Sequence, residues 1–277
     1  MRDFARFLGA LFIMGIVAVA FMYMVAQRDP VVRRATVVMP DLPAGARPIR
    51  IAFLADTHVG PPDMPPSRLS RIVRQVNGLQ PDLVLLGGDF MSDKHWPPRL
   101  PNVARALSSL SQLRSPLGVY AVLGNHDHWR SVREITAGLQ ANGVQLLTNQ
   151  AVQVGPLSLG GADDAFTGHD DVRATVGAMR RLKGSRVLLT HSPDVTPSVP
   201  SDVSLILAGH THCGQIQFPL IGALYYESRY GSRFGCGVAR DGAKRVITSS
   251  GLGTSMLPLR LGAVPDVWLV TLVPAKR

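Results

Sequence analysis

Residues 49–58 read IRIAFLADTH: an apolar run from Ile49 to Ala55, then Asp56-Thr57-His58. The run has the length and composition of a buried β-strand. It ends in two side chain types that bind metals or move protons. The same construction recurs downstream. Leu83–Leu86 ends in Gly87-Gly88-Asp89, and Val119–Leu123 in Gly124-Asn125-His126-Asp127. Val187–Thr190 ends in His191, and Leu205–Ala208 in Gly209-His210-Thr211-His212. In open α/β sheets, sites form outside the carboxyl ends of strands. The five fragments are therefore expected to converge on one rim.

Helical patterns separate these strands. Ser67–Leu79 carries Leu69, Ile72, Val73, Val76 and Leu79 on one face, with Ser67 placed as N-cap. Val103, Leu107, Leu110 and Leu113 mark a second helix. Ser131–Asn142 is a third, stopped by Gly143, and Val172–Leu182 a fourth. The stretch Val144–Leu159 reads as β, as do Arg245–Thr248 and Val267–Leu272 in the tail. This alternation predicts an α/β domain with helices covering sheet faces. The simplest division gives an N-terminal segment over 1–28, a linker over 29–46 and one domain over 47–277.

Taken singly, each strand-end fragment is weak. A D-x-H tripeptide is more often a turn, and G-D after a strand is usually a turn or a helix cap. A lone His191 is more often a satisfied core or surface histidine. G-H-T-H says more, because two histidines one residue apart on an extended segment point the same way. The conjunction carries the signal. Five of the eight histidines lie in these fragments, each at a strand end. Carboxylate, imidazole and amide donors without thiolate suit Mn, Fe, Co or Zn. Glycines before Asp89, Asn125 and His210 let the backbone turn sharply.

D-x-H, G-D, G-N-H-D, H and G-H-x-H in this order resemble the calcineurin-like metallophosphoesterase superfamily. The resemblance covers nearly all of residues 49–273. It implies a four-layer αββα sandwich with two divalent metal ions at the strand rim, manganese first, with zinc, iron or cobalt as the others. One metal would take Asp56, His58, Asp89 and His212; the other Asp89, Asn125, His191 and His210. Asp89 would bridge them, and a hydroxide between the cations would attack phosphorus. His126 would be the general acid. Its other reading is a hydrogen-bond partner behind the ligands. Asp93 or Asp127 is a candidate to orient it, but both read first as ordinary loop or capping residues. His95, His128 and His169 take no role.

The last third is similar to a narrower, bacterial and membrane-associated branch. Its segments are GHTHCGQIQFPLIG, then RYGSRFGCG over 229–237, then Gly251-Leu252-Gly253-Thr254. That branch includes phosphodiesterases of the YkuE type and the UDP-2,3-diacylglucosamine pyrophosphatases. Cys213 stands where that pattern has glycine. Arg229 and Arg233 are candidates to grip a substrate phosphate, or else plain surface arginines.

From Leu8 to Ala26 no residue is charged. As a helix this run is about 28 Å long, the hydrocarbon thickness of a bilayer. It reads as an uncleaved single-pass membrane anchor. A cleaved secretory signal is the other reading, with Ala18-Val19-Ala20 as its small-residue site. Arginines flank both ends, so the charge bias leaves the side of the membrane open. An anchor beside a phosphoesterase site suggests a lipid-linked or envelope phosphodiester or pyrophosphate.

Hydrophobic residues make up 46% of the chain and charged ones 17%, which excludes a disordered chain. The net charge of +10 fits an anionic membrane surface or a phosphorylated substrate, and equally a general bias towards arginine. Aromatics are only 6% and form no basic-aromatic stripe, so no nucleic-acid partner is expected. A metal-dependent nuclease and a silent scaffold of the same fold are the competing functional classes. No protein partner is inferable. Cys213 and Cys236 are the only cysteines, and the sequence leaves their pairing open.

Overall fold

A computed structural model describes residues 1–94 and 101–275. His95 lies outside them. The chain opens with helix α1 (Arg2–Gln27), followed by β1 (Val31–Met39) and β2 (Ile49–Leu54). Next come α2 (Pro66–Gly78), β3 (Leu83–Leu86), α3 (Val103–Leu107) and β4 (Val119–Ala121). Then follow α4 (Asn125–Arg130), α5 (Val132–Ala141), β5 (Gln145–Leu146), β6 (Gln150–Val154) and β7 (Leu157–Gly161). After α6 (Val172–Arg180) come β8 (Ser185–Leu189) and β9 (Leu205–Ala208). A small hairpin, β10 (Gln217–Phe218) and β11 (Gly222–Ala223), precedes β12 (Gly237–Asp241), β13 (Lys244–Thr248) and β14 (Asp266–Pro274).

Two six-stranded sheets form, in the orders β1-β14-β2-β3-β4-β5 and β12-β13-β9-β8-β7-β6. Strand alternation decides what packs between them. Ile51, Phe53, Leu83 and Leu85 of the first sheet meet Leu159, Val187, Leu205 and Leu207 of the second. The alternate residues Ala52, Leu54, Val84 and Leu86 face outwards, onto Leu69, Ile72 and Val76 of α2 and Ile135 and Leu139 of α5. On the far side, Val176 and Met179 of α6 cover Leu188 and Ile206. The result is the expected αββα sandwich.

Several boundaries differ from the sequence reading. Residues 29–46 are not a linker: Val31–Met39 pairs with β14 in parallel along its whole length. Its β-branched composition, VVRRATVV, suits a strand. Arg33 seals the join with an ion pair to Asp266 at 2.8 Å. Helix α2 starts at Pro66 rather than after Ser67, since proline at the first helical position gives up no needed N–H. The second helix stops at Leu107 and tightens into a 3₁₀ turn over Ser108–Gln112. The third holds, with the Ser131 hydroxyl accepting from Glu134 N–H at 3.3 Å.

Helix α1 is long and apolar enough to cross a membrane, and its apolar window is wholly exposed. Among the described residues, only its last turns touch the body. Met22 O accepts from Arg260 N–H at 3.0 Å, and Ala26 is buried. The Arg28 carbonyl just beyond accepts from Arg68 at 2.7 Å.

Candidate metal centre

All five strand-end fragments meet at one place. Strands β2, β3 and β4 are neighbours in the first sheet, and β8 and β9 in the second. The expected single rim is therefore the seam between two sheets. Asp56, His58, Asp89 and Asn125 come from one side, and His191, His210 and His212 from the other. All seven are buried.

Two donor clusters share one carboxylate. In the first, His58 Nε2 lies 3.2 Å from His212 Nε2 and 3.5 Å from Asp89 Oδ2. Asp56 Oδ1 lies 3.8 Å from His212 Nε2. In the second, Asn125 Oδ1 lies 3.0 Å from both His191 Nε2 and His210 Nδ1. His191 Nε2 lies 3.3 Å from the same Asp89 Oδ2. Three triads lie close enough to hold a metal ion: Asp56, His58 and His212; Asp56, Asp89 and His191; and His58, Asp89 and His126.

The backbone is strained here. Asp56, His58, Asp89, His210 and His212 all have positive φ, between 41° and 69°. Each such residue costs on the order of 1–3 kcal/mol and persists only where its surroundings hold it. Asp127 supplies part of that hold. Its carboxylate accepts from the N–H groups of Asp89 and Phe90 at 2.8 Å and of Gly124 at 3.0 Å, tying the ends of β3 and β4 together. Gly88 is itself left-handed, at φ 89°. Gly124 is not; it is there because a Cβ would meet His191 Cε1 at 2.7 Å and Asp89 Cγ at 2.8 Å.

Burial sets the electrostatics. It pushes His58 and His210 down to about 3 and His212 well below its ordinary value, so these imidazoles are neutral and offer lone pairs. Burial pushes Asp56 up to about 7, with the Asp89 charge adding to it. Burial also opposes a charged Asp89, but His191 outweighs it and holds the carboxyl well below the usual range. The neutral imidazoles of His58, His210 and His212 beside the carboxyl groups of Asp56 and Asp89 are a donor set that fits divalent cations.

His126 stands beside the clusters. Its Nδ1 lies 2.8 Å from Asp93 Oδ2 and its Nε2 3.9 Å from Asp89 Oδ2. Burial lowers it, yet the bond to Asp93 and the charges of Asp89 and Asp93 win and raise it above its ordinary value. Trp129 packs edge-on against it, with ring centres 4.8 Å apart.

Arg260 was missed. Its fully buried guanidinium donates to the carbonyls of Ser250 at 2.6 Å and Ala263 at 2.9 Å, and lies 3.3 Å from His212 Nδ1. It thereby fixes the turn whose Gly253 N–H bonds Asp56 O at 2.8 Å. Only its place directly after the uncharged stretch 251–259 could have marked it. Arg229 and Arg233 do not join the site. Arg233 pairs with Asp241 at 2.8 Å, and Arg229 lines a neighbouring hollow with Asp194. His128 also has a partner, Asp163 at 2.9 Å.

Cys213 and Cys236 form a disulfide, with Cα atoms 4.7 Å apart. Cys213 has φ 53°, a conformation glycine adopts without strain, so the bridge holds what the expected glycine would adopt freely.

Similarity to known proteins agrees with this geometry. A metallophosphoesterase of Aquifex aeolicus is 29% identical over 87% of this chain and 91% of its own length. YkuE, a metallophosphoesterase of Bacillus subtilis, is 30% identical over 74% of this chain and 72% of its own. A transmembrane protein with metallophosphoesterase domain from Bos taurus is 31% identical over 87% of this chain, which spans 57% of that relative's length. Animal relatives mean the likeness is not confined to a bacterial branch. The profile of the calcineurin-like phosphoesterases matches residues 49–214, the segment that supplies every residue of both clusters, and the chain belongs to that family.

Proposed function

We propose that this protein is a membrane-anchored phosphoester hydrolase that uses two divalent metal ions to cleave a phosphodiester or pyrophosphate of a lipid-linked or envelope substrate. The observation that carries the reading is Asp89 Oδ2, which faces His58 at 3.5 Å on one side and His191 at 3.3 Å on the other. In this reading Asp56, His58, Asp89 and His212 hold one ion, and Asp89, Asn125, His191 and His210 the other. Divalent cations in such a cage offset charge on phosphoryl oxygens and acidify a water nucleophile.

The chain's own residues supply the rest. His126 pairs with Asp93 through Nδ1 at 2.8 Å and lines the cavity. The pairing with Asp93 and the charges of Asp89 and Asp93 raise its proton affinity against the effect of burial, which favours the protonated form that a general acid needs. Asp127 keeps the loops that carry Asp89 and Asn125 at fixed spacing. Trp129 packs against His126 and Phe166 against His210, each with ring centres 4.8 Å apart.

Helix α1 supports the anchor, as do animal relatives named as transmembrane proteins. The Cys213–Cys236 bridge supports a domain on the oxidising side of the membrane. The test assays the full chain against a diester, a monoester and a lipid pyrophosphate, with His126→Asn in parallel. The reading expects turnover of the diester or pyrophosphate and its loss in His126→Asn with metal content unchanged. Full activity in His126→Asn would contradict the acid role, and activity on monoesters alone would contradict the substrate class.

A further inference from the structure

The cavity over the cage, about 730 Å³, has two unlike halves. Asp89, Asn125, His126, His210 and His212 line its floor. Phe218, Leu224, Tyr225, Met256 and Leu257 line one wall. That wall is built by the β10–β11 hairpin and the segment 255–261. Beyond the cavity the hairpin tip carries Leu220 and Ile221, which are 109% and 71% exposed. Leu224 and Met256 are 74% and 81% exposed. Neither 213–226 nor 251–259 contains a charged residue. Exposed apolar side chains gathered on two charge-free segments that are hydrogen-bonded to each other are unusual on a face that meets only water.

Its position names the medium it meets. Arg260 N–H donates to Met22 O of α1 at 3.0 Å. Gln217 N–H donates to Leu261 O at 2.7 Å, and the Gln215 side chain to Leu257 O at 3.1 Å. The hairpin, the segment 255–261 and the membrane-spanning helix are thus joined by hydrogen bonds. Met22 lies five residues before the end of α1, about 7.5 Å along the axis. The charge-free run ends at Ala26, so if it spans the bilayer Met22 lies about 6 Å inside the hydrocarbon edge, among the acyl chains next to the headgroups.

We propose that the hairpin tip and residues 255–258 form a lip that inserts into the bilayer around α1. The phosphoester of a bilayer lipid then reaches the cage while its acyl chains stay against the lip. This rests on the phosphoesterase reading of the cage and adds the route by which substrate arrives.

The test uses the full chain in lipid nanodiscs of phosphatidylethanolamine and phosphatidylglycerol. A fluorophore is placed on Leu220→Cys, with Ser201→Cys, at the opposite end of β9 from His210, as reference. Quenching by lipids with a nitroxide on the acyl chain is expected to be several-fold stronger at 220. Equal quenching at both positions would overturn the lip. The double variant Leu220→Asp/Ile221→Asp is then assayed on a soluble chromogenic diester and on a lipid phosphodiester in vesicles. We expect at least a tenfold fall on the vesicle substrate and none on the soluble one. Parallel falls, or no fall, would overturn the proposal, as would loss of a dimer in the variant, which marks the patch as a protein interface. Native protein inactive on both substrates would instead refute the phosphoesterase reading, while the quenching result still judges the lip.

Discussion

The cage and the mouth above it are adjacent, and their sequences solve opposite problems. In the cage, Asp56, His58, Asp89, Asn125, His191, His210 and His212 are polar and at most 6% exposed. In the mouth, Leu220, Leu224 and Met256 are apolar and more than 70% exposed. Buried polar groups need partners, and the cage residues point at one another with lone pairs inward. Exposed apolar groups need a medium other than water, and the mouth hangs on the end of α1. In the proposed reading the first arrangement serves the chemistry and the second the delivery of substrate. Changes in the cage are accordingly expected to act on every substrate, and changes in the mouth only on those held in a bilayer.

The largest effect is expected from Asp89→Asn. It removes the one carboxylate shared by both clusters, so hydrolysis of soluble and bilayer substrates alike falls to background. His126→Asn comes next, with kcat lowered by about 10²–10⁴-fold and metal content kept. Steady-state kinetics alongside elemental analysis separates the two. Asp93→Asn is expected to lower kcat by about tenfold, the lower end of what losing an acid's orienting partner implies. Its pH profile is more telling. Asp93 helps hold His126 above its ordinary value, and a general acid works only while protonated. Removing Asp93 therefore moves the alkaline fall in kcat to lower pH; an unmoved profile would detach Asp93 from the reaction.

Smaller effects lie at the border of the two regions. The Cys213–Cys236 bridge closes a loop with a sequence separation of 23, just after His212. Replacing both cysteines by serine is expected to cost about 3 kcal/mol of stability, read as a lower urea midpoint. Arg233→Ala is the smallest change. Its ion pair with Asp241 is 58% exposed on the arginine side, so water screens it. A stability change of about 0.5 kcal/mol or less and an unaltered KM are expected. A raised KM would return Arg233 to the substrate site.

The cage was legible because its signal is local. Each ligand follows its own apolar strand, and the strands place it without help from distant sequence. The expected sandwich follows from the same alternation. What was misread depends on pairing across the chain. β1 looked like a linker because its partner β14 begins at Asp266, and no local pattern announces a parallel neighbour so far away. Arg233 looked free because Asp241 sits on β12. Arg260 is a single charge in a loop, given meaning only when the fold brings it to His212, whereas Asp93 was already a candidate to orient His126. The disulfide could not be decided either, since connectivity depends on how the loops fold.

The central claim is that one carboxylate, Asp89, joins two metal sites. Elemental analysis of the full chain after loading with Mn²⁺ or Zn²⁺ and desalting tests it most directly, with Asp89→Asn treated identically. The account predicts two ions per native chain and the loss of both, together with activity, in the variant. One ion per native chain, or an Asp89→Asn variant that keeps both, would contradict it.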